Sequence, residues 1–594
     1  MKPQSGTSNV LSTVRPLGTR PIAKTIRAPD FSPSSVWASL DVKELPVGIV
    51  GLHTVLILTA AYLLFGLIGR DPWKPDEAYA VGIVYDFLST PDGWVVPTLA
   101  GEPFMEKPPL LYWVAAAFAR VFSAWMPLHD AARLAAGFFM AITCAATGWV
   151  ARYWWGKGYG RVAVLALLGC VGLLMRAQML TTDVPLLTGF AIATCGIALA
   201  GSRPLAGGLL LGTGVGVGFL AKGLIAPGVI GITWALLLIV FPAWRTRNVL
   251  LASAVSVLAV LPWVLIWPVA LYLRSPALFM DWFWLNNVGR FVGFSVPNLG
   301  EPNVEGFWWQ TILWFTFPAF PLAVVTLWRF RARLPDTPPI QVCLLLSLVI
   351  TAVLGLSASA RANYFLPLLI PICLLAPPGA SRLNAATDKS LDWTAKVVFG
   401  LFAIFLWAVW IVMVVRGSPP ALPILSRLLS LDFTATFSPV AFVLAIILTL
   451  SAVIAMWKLP AQPRALTSWV VGITLVWGLL STLWLPWIDN AKSHRAVFES
   501  MKPVLGTGYN CVSRTGLGES ERGMLHYVAH VITIDKRNST AADCDYWLYQ
   551  GFAIFPPKDV DPQQWTLVWE GARPSDAGER FFLFKAAHAR IVNN

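Results

Sequence analysis

Thirteen separate apolar runs dominate this chain, and they leave it few folds to choose from. A membrane span needs about 20 mostly apolar residues, with a range of roughly 17 to 25 and shorter spans at bundle interiors. Runs of that kind lie near 46–68, 132–152, 161–175, 184–200, 206–221, 223–241, 249–271, 307–328, 340–357, 363–378, 394–415, 434–456 and 467–487. In lipid each segment must satisfy its own backbone hydrogen bonds, so such runs become helices. The expected architecture is a polytopic all-α membrane protein with about thirteen transmembrane helices. Composition agrees: charged residues are 13% and the mean hydropathy is +0.65, where soluble domains carry about a quarter charged residues. An ordinary cytosolic enzyme is excluded. Seven Cys are too few for a disulfide framework, and none has structural zinc spacing with His.

The net charge of +13 need not mean nucleic acid, because Lys and Arg collect in cytoplasmic loops. With thirteen spans and the N-terminus inside, one side receives Lys157 and Arg161, Arg203, Arg245 and Arg247, Arg329, Arg331 and Arg333, Arg382 and Lys389, then Lys458 and Arg464. Residues 1–45, with six bases and three acids, fall on that side and read as a flexible cytoplasmic tail. Counting PLLYWVAAAFARVFSAWM (109–126) as a span would reverse every later loop. It reads instead as a helix in the outer interface, with Arg120 snorkelling and Trp113 and Trp125 at headgroup depth.

Three larger segments fall on the outer side. They divide the chain into a membrane domain, 46–487, with outer loops 69–131 and 272–306, and a water-soluble C-terminal domain, 488–594. The last is charge-neutral, with twelve acids and twelve bases over 489–594. Its runs HVITID (530–535), CDYWLYQG (544–551), WTLVWE (565–570) and RFFLFKA (580–586) alternate with turn residues and read as strands of a small α/β domain. Cys511 and Cys544 are its two cysteines; on an oxidising face they can pair, and two buried thiols are the alternative.

Chemistry points to the first outer loop. Residues 69–108 hold seven acids against three bases. KPDEAYAVGIVYDFL reads as a short amphipathic helix with Asp76 and Glu77 at its start, where the helix dipole favours carboxylates. Glu106 and Lys107 precede Pro108-Pro109, a rigid entry to the interfacial helix. That turn holds a carboxylate, able to orient or deprotonate an acceptor, beside an ammonium able to neutralise a phosphate. Asp183 lies near the membrane surface, either as a helix cap or as a functional acid. Gly-rich 212–218 reads as a close-packing face rather than a nucleotide loop.

Together, Pro75-Asp76-Glu77-Ala78-Tyr79-Ala80, Gly101-Glu102-Pro103, Glu106-Lys107-Pro108-Pro109-Leu110-Leu111-Tyr112-Trp113 and Thr182-Asp183 resemble the integral-membrane lipid A aminoarabinose transferases. More broadly the chain is similar to protein O-mannosyltransferase-like enzymes of the GT-C fold. The resemblance continues through Lys222-Gly223, Gly289-Arg290-Phe291 and Arg361-Ala362-Asn363-Tyr364-Phe365-Leu366-Pro367. It implies an inverting glycosyltransferase of the bacterial inner membrane, multi-pass, with its site and C-terminal domain periplasmic. Such an enzyme would take an undecaprenyl-phosphate sugar, 4-amino-4-deoxy-L-arabinose being one candidate, to a lipid A, glycan or protein acceptor. By position, Asp76, Glu106 and Asp183 match the catalytic acids, while Lys107 and Arg290 match the groups facing the donor phosphate. Arg361 is a further phosphate-binding candidate.

One departure concerns metals. Where such enzymes carry an acidic residue followed by His, this chain has Asn286-Asn287, and Asn is a poor metal ligand. A divalent ion on Asp76 and Glu106 with substrate oxygens is the metal site left open. The alternatives are a protein O-mannosyltransferase-like activity and a non-enzymatic flippase or transporter of lipid-linked sugar. A transporter commonly shows related halves, which this sequence does not.

Overall fold

The structure, a computed structural model, describes residues 50–587 apart from 91–92, 297–301, 459–462, 507, 552–556, 558–559, 574–575 and 577. The expected cytoplasmic tail, residues 1–45, lies outside the described residues, as does Asp92.

Every expected apolar run contains helix. Among the described residues, seven helices are long and apolar enough to cross a membrane: Leu128–Trp155, Pro204–Lys222, Arg247–Arg274, Pro338–Leu356, Ala362–Ala380, Ala385–Arg416 and Pro439–Lys458. Three more runs are helix pairs bent by 63°, 93° and 70°, which raises the count to ten if each pair is one span. The other three are shorter helices, Leu52–Leu64, Asp183–Leu199 and Ile225–Val240. Asp183–Leu199 shows why length misleads: all of it except Ile192 is buried, so its surroundings are protein and it need not match a bilayer. At the rim, Arg247–Arg274 and Pro439–Lys458 bury only 11% of their apolar windows, against 83% for Ala362–Ala380 at the centre. Their outward faces are apolar, as in Leu258, Ile266, Leu273 and Leu450. A contiguous apolar rim of this kind is solvated by acyl chains, and the chain is a multi-pass membrane protein.

The glycines of Pro204–Lys222 let three helices meet backbone to backbone. A Cβ on Gly214 would lie 2.3 Å from Ala193 N, and one on Gly212 would lie 2.4 Å from Ser256 O. Gly214→Val should therefore force the helices apart at a cost of about 1–3 kcal/mol, read as a lower thermal unfolding midpoint in detergent.

The stretch 109–126 forms the helix Leu110–Phe122, which buries Leu111, Tyr112, Ala115, Ala116 and Ala119 and leaves Arg120 and Trp125 exposed. Before it run the helix Asp76–Ser89 and a two-stranded ribbon, β1 (Thr98–Leu99) and β2 (Glu102–Pro103). The sequence led us to expect Asp76–Ser89 to keep one wet face; the structure corrects this. The helix is buried on nearly all sides, because the C-terminal domain covers the face that the bundle leaves open.

That domain carries helices Arg495–Leu505 and Glu519–Ala529 on a five-stranded sheet. Its strands are β3 (Val512–Thr515), β4 (Thr533–Asp535), β5 (Tyr546–Gly551), β6 (Trp565–Gly571) and β7 (Arg580–Ala586), in the order β4-β3-β5-β7-β6. β3 pairs parallel with β4 and β5, while β7 pairs antiparallel with β5 and β6. A disulfide joins Cys511 to Cys544, at the starts of the parallel pair β3 and β5. The domain docks through charge. Arg495 meets Asp71 at 2.7 Å, Arg514 meets Glu102 at 2.8 Å, His526 meets Asp86 at 2.8 Å, and Arg522 also pairs with Glu102.

Candidate active site

Adjacent carboxylates at the start of Asp76–Ser89 point opposite ways. Glu77 faces the protein interior, fully buried, with Arg70 at 2.5 Å and Arg133 at 2.8 Å. It also accepts backbone N–H groups from Leu180 (3.1 Å) and Trp73 (3.3 Å). Burial alone would raise the Glu77 carboxyl, but Arg133 and Arg70 outweigh it and hold it at about 2. With Glu77 so anchored, Asp76 is turned into a cavity of about 350 Å³.

The structure brings Asp76, Glu106, Lys107, Asp183, Arg290 and Arg361 together on the wall of that one cavity. Lys107 is the hub. Its Nζ lies 3.9 Å from Asp76 and 3.7 Å from Glu106, and it donates to the Tyr79 hydroxyl, which donates to Asp76 Oδ1 at 3.2 Å. Burial works to lower the Lys107 ammonium, but Glu106, Asp76 and Asp183 raise it on balance and keep it charged. Arg290 pairs with Glu106. Against the opposing pull of burial, Lys107 and Arg290 hold the Glu106 carboxyl at about 2. Arg361 approaches Asp76 at 3.6 Å. Asp183 begins the helix Asp183–Leu199 and pairs with Lys222, the last residue of Pro204–Lys222, whose ammonium sits 4.2 Å from the Tyr364 ring centre.

Sequence reasoning gave no role to three residues at the heart of this arrangement. Tyr79, Lys222 and Tyr364 lay inside the quoted motifs, and the signal was there: Tyr79 follows Asp76 by three residues, one helical turn. The local backbone at Arg290 had no signal at all. Asp281–Gly289 is a π-helical stretch that runs straight into Arg290, and π-helical turns recur at functional sites.

Asn286 and Asn287 have separate uses here. Asn287 Oδ1 accepts from Leu224 N at 3.3 Å and lies 1.8 Å from where a Gly223 Cβ would be. Gly223 has φ +69°, so only glycine suits that break. Asn286 lines the cavity. A divalent ion on Asp76 and Glu106 does not suit this donor set. An ammonium already stands between the two carboxylates, and each has a guanidinium beside it. Among the described residues, three close metal-type ligands meet only at His494, Glu521 and Glu579. There Lys74 (2.6 Å from Glu521) and Arg573 (2.6 Å from Glu579) already supply the positive charge.

Away from these charges the wall carries an apolar stretch, with Ile225, Val229, Ile232, Phe291, Val353 and Leu354. A charged end opening on an apolar channel suits an amphiphile with an anionic head.

Comparison with known proteins agrees with this shape. The family described as dolichyl-phosphate-mannose-protein mannosyltransferase matches residues 106–267. An undecaprenyl phosphate-alpha-4-amino-4-deoxy-L-arabinose arabinosyl transferase of Serratia proteamaculans is 26% identical over 371 residues, 59% of this chain and 62% of that protein. The enzyme of that name from Aeromonas hydrophila is 25% identical over 531 residues, 82% of this chain and 90% of its own. The chain thus spans a little under two thirds of the first of these relatives, and most of the second. Among solved structures, ArnT from Cupriavidus metallidurans, crystallised with undecaprenyl phosphate, superposes with a TM-score of 0.62 at 16% identity, covering 89% of this chain and 97% of that one. These findings define the class as a multi-pass membrane protein of the GT-C fold with a small C-terminal sheet domain. Within that class, the resemblance to the aminoarabinose transferases read from the motifs is borne out.

Proposed function

We propose that the chain is a glycosyltransferase that moves a sugar from undecaprenyl phosphate to an envelope acceptor, lipid A first among them, on the periplasmic face. The observation that carries this reading is the cavity itself, where Lys107, Arg290, Lys222 and Arg361 share a wall with Asp76 and Asp183 above an apolar channel. The polyprenyl chain takes the channel and the phosphate takes the cations. An acceptor oxygen attacks the anomeric carbon from the opposite face. The bond from that carbon to the phosphate oxygen breaks, its electron pair stays on the phosphate, and the configuration inverts. Lys107 and Arg290 stabilise the charge that grows on the leaving phosphate, where fixed cations in low dielectric act most strongly. Asp76 and Asp183 orient the acceptor. With a hydroxyl acceptor one of them takes its proton; with a phosphate acceptor the attacking oxygen is already anionic and no strong base is needed.

The test is sugar transfer by purified protein in lipid, given undecaprenyl-phosphate aminoarabinose and lipid A, with Asp76→Asn as the paired control. Mass spectrometry follows donor loss and acceptor gain. Consumption by the wild type and a loss of about 100-fold or more in the variant is the expected result. Labelled lipid that crosses the bilayer without donor consumption would overturn the reading in favour of a flippase.

A further inference from the structure

A second polar cavity lies at the end of the bundle away from the transfer site. Ala362–Ala380 starts at the first cavity, where Asn363 and Tyr364 line the wall, and runs through the bundle to its far end. The short turn 381–384 then leads into Ala385–Arg416, so the start of that helix lies at the opposite membrane face. There Ala385–Arg416, Pro439–Lys458 and Arg464–Leu480 enclose about 170 Å³, with Asp392, Lys396, Trp457, Lys458, Arg464 and Ser468 on the wall.

The floor of this cavity is a fixed polar group. Asp392 is buried and accepts from Ser468 Oγ at 2.5 Å and from Lys396 Nζ at 2.7 Å. The Lys396 ammonium also stands 5.7 and 5.6 Å from the ring centres of Trp393 and Trp457, and one bond to Asp392 leaves it further donors. Lys458 and Arg464 are exposed at the mouth, and neither side chain has a partner among the described residues. Three cations thus share the wall with one carboxylate. Asp388, the other acid nearby, lies off the wall and accepts the backbone N–H groups of Arg464 and Ala465, both at 3.1 Å. The excess of positive charge selects an anion. The surroundings say which kind: Trp393 and Trp457 are exposed beside the cavity, as aromatic side chains are at headgroup depth. One and two turns further into the membrane, Ile454 and Leu450 present bare apolar surface. An anion at the mouth that carried acyl chains would find a place for both parts, and basic pockets between span ends suit anionic headgroups.

We propose that this cavity binds the phosphate of an anionic phospholipid at the membrane face opposite the transfer site. Lys396 and Arg464 take the phosphate oxygens, Lys458 closes the mouth over them, and the acyl chains lie along the outer face of Pro439–Lys458. The site is separate from the transfer cavity and stands whether or not the transferase reading does.

Native mass spectrometry of the full chain in detergent tests it, with phosphatidylglycerol, phosphatidylcholine of the same acyl chains and inorganic phosphate as probes. Wild type is compared with Lys458→Gln/Arg464→Gln and with Lys157→Gln/Arg203→Gln. The second pair removes equal charge from exposed residues that follow Leu128–Trp155 and Asp183–Leu199 at the same face, outside the cavity. Wild type and Lys157→Gln/Arg203→Gln should each retain one phosphatidylglycerol. Lys458→Gln/Arg464→Gln should need about 10- to 30-fold more of it, the scale set by two basic residues at an anionic surface. Phosphatidylcholine should not discriminate among the three proteins. Equal retention of phosphatidylglycerol by all three, or an equal loss in both double variants, would mean a diffusely basic face and overturn the proposal. So would phosphatidylcholine held as tightly as phosphatidylglycerol, or phosphatidylglycerol displaced by an equal concentration of inorganic phosphate. If Lys458→Gln/Arg464→Gln does not fold, wild type alone decides: phosphatidylglycerol should raise its thermal unfolding midpoint, and phosphatidylcholine or inorganic phosphate at the same concentration should not. A midpoint that phosphatidylglycerol leaves unchanged would overturn the site.

Discussion

Lys107→Met is expected to lower sugar transfer about 100- to 1,000-fold in kcat, the scale set by removal of one preorganised donor to developing charge. Methionine keeps the length and most of the volume of the side chain and removes only the charge and its three donors. Two losses then add. The leaving phosphate loses its central cation, and Asp76 and Glu106 lose the ammonium that stands between them at 3.9 and 3.7 Å. Lys107→Arg should rescue poorly: a planar guanidinium cannot copy a point charge that also donates to Tyr79. Single-turnover donor consumption, measured with the thermal unfolding midpoint of each variant, separates this loss of chemistry from loss of fold. Transfer at the wild-type rate by Lys107→Met would mean that Arg290, Lys222 and Arg361 carry the phosphate without it.

The seven acids of the first outer loop show what the sequence could and could not tell. Their excess marked the loop as special, and Asp76 and Glu106 do line the cavity. Asp71, Asp86 and Glu102 instead meet Arg495, His526 and Arg514 of the C-terminal domain, more than 400 residues further along the chain. Local pattern carries no record of a partner so distant. Asp76 and Glu77 are neighbours of the same chemical type at the same helix start. Their opposite roles depend on Lys107 and on Arg133, and so on how a later turn and a later helix pack. The apolar runs were legible because lipid demands them wherever the chain crosses, and four of the five C-terminal strands because they are apolar and bounded by turns. β3 was not, since Val512–Thr515 has one apolar residue and buries Arg514.

Glu77→Gln is expected to destabilise the protein by about 3–5 kcal/mol, the cost of removing one partner from a buried ion pair. Glu77 is the shared anion of Arg70 and Arg133, both fully buried. After the substitution Arg133 keeps Asp130 at 2.6 Å, but Arg70 loses its paired anion and is left with neutral acceptors, the glutamine carbonyl and the backbone carbonyls of Gly66, Asp71 and Gln178. The pH dependence gives a second readout. The Glu77 carboxyl is held at about 2 in the fold against an ordinary 4.5, so the folded state favours its ionised form. That stabilisation is complete above pH 4.5 and is lost as the pH falls from there towards 2. The wild-type unfolding midpoint in detergent should drop through that window, and Glu77→Gln should start lower and drop less. Because Glu77 anchors the turn that presents Asp76, the variant should also lose transfer activity at temperatures where it is still folded. A variant with wild-type stability and a wild-type acid limb would show that water, and not Glu77, satisfies the two guanidinium groups.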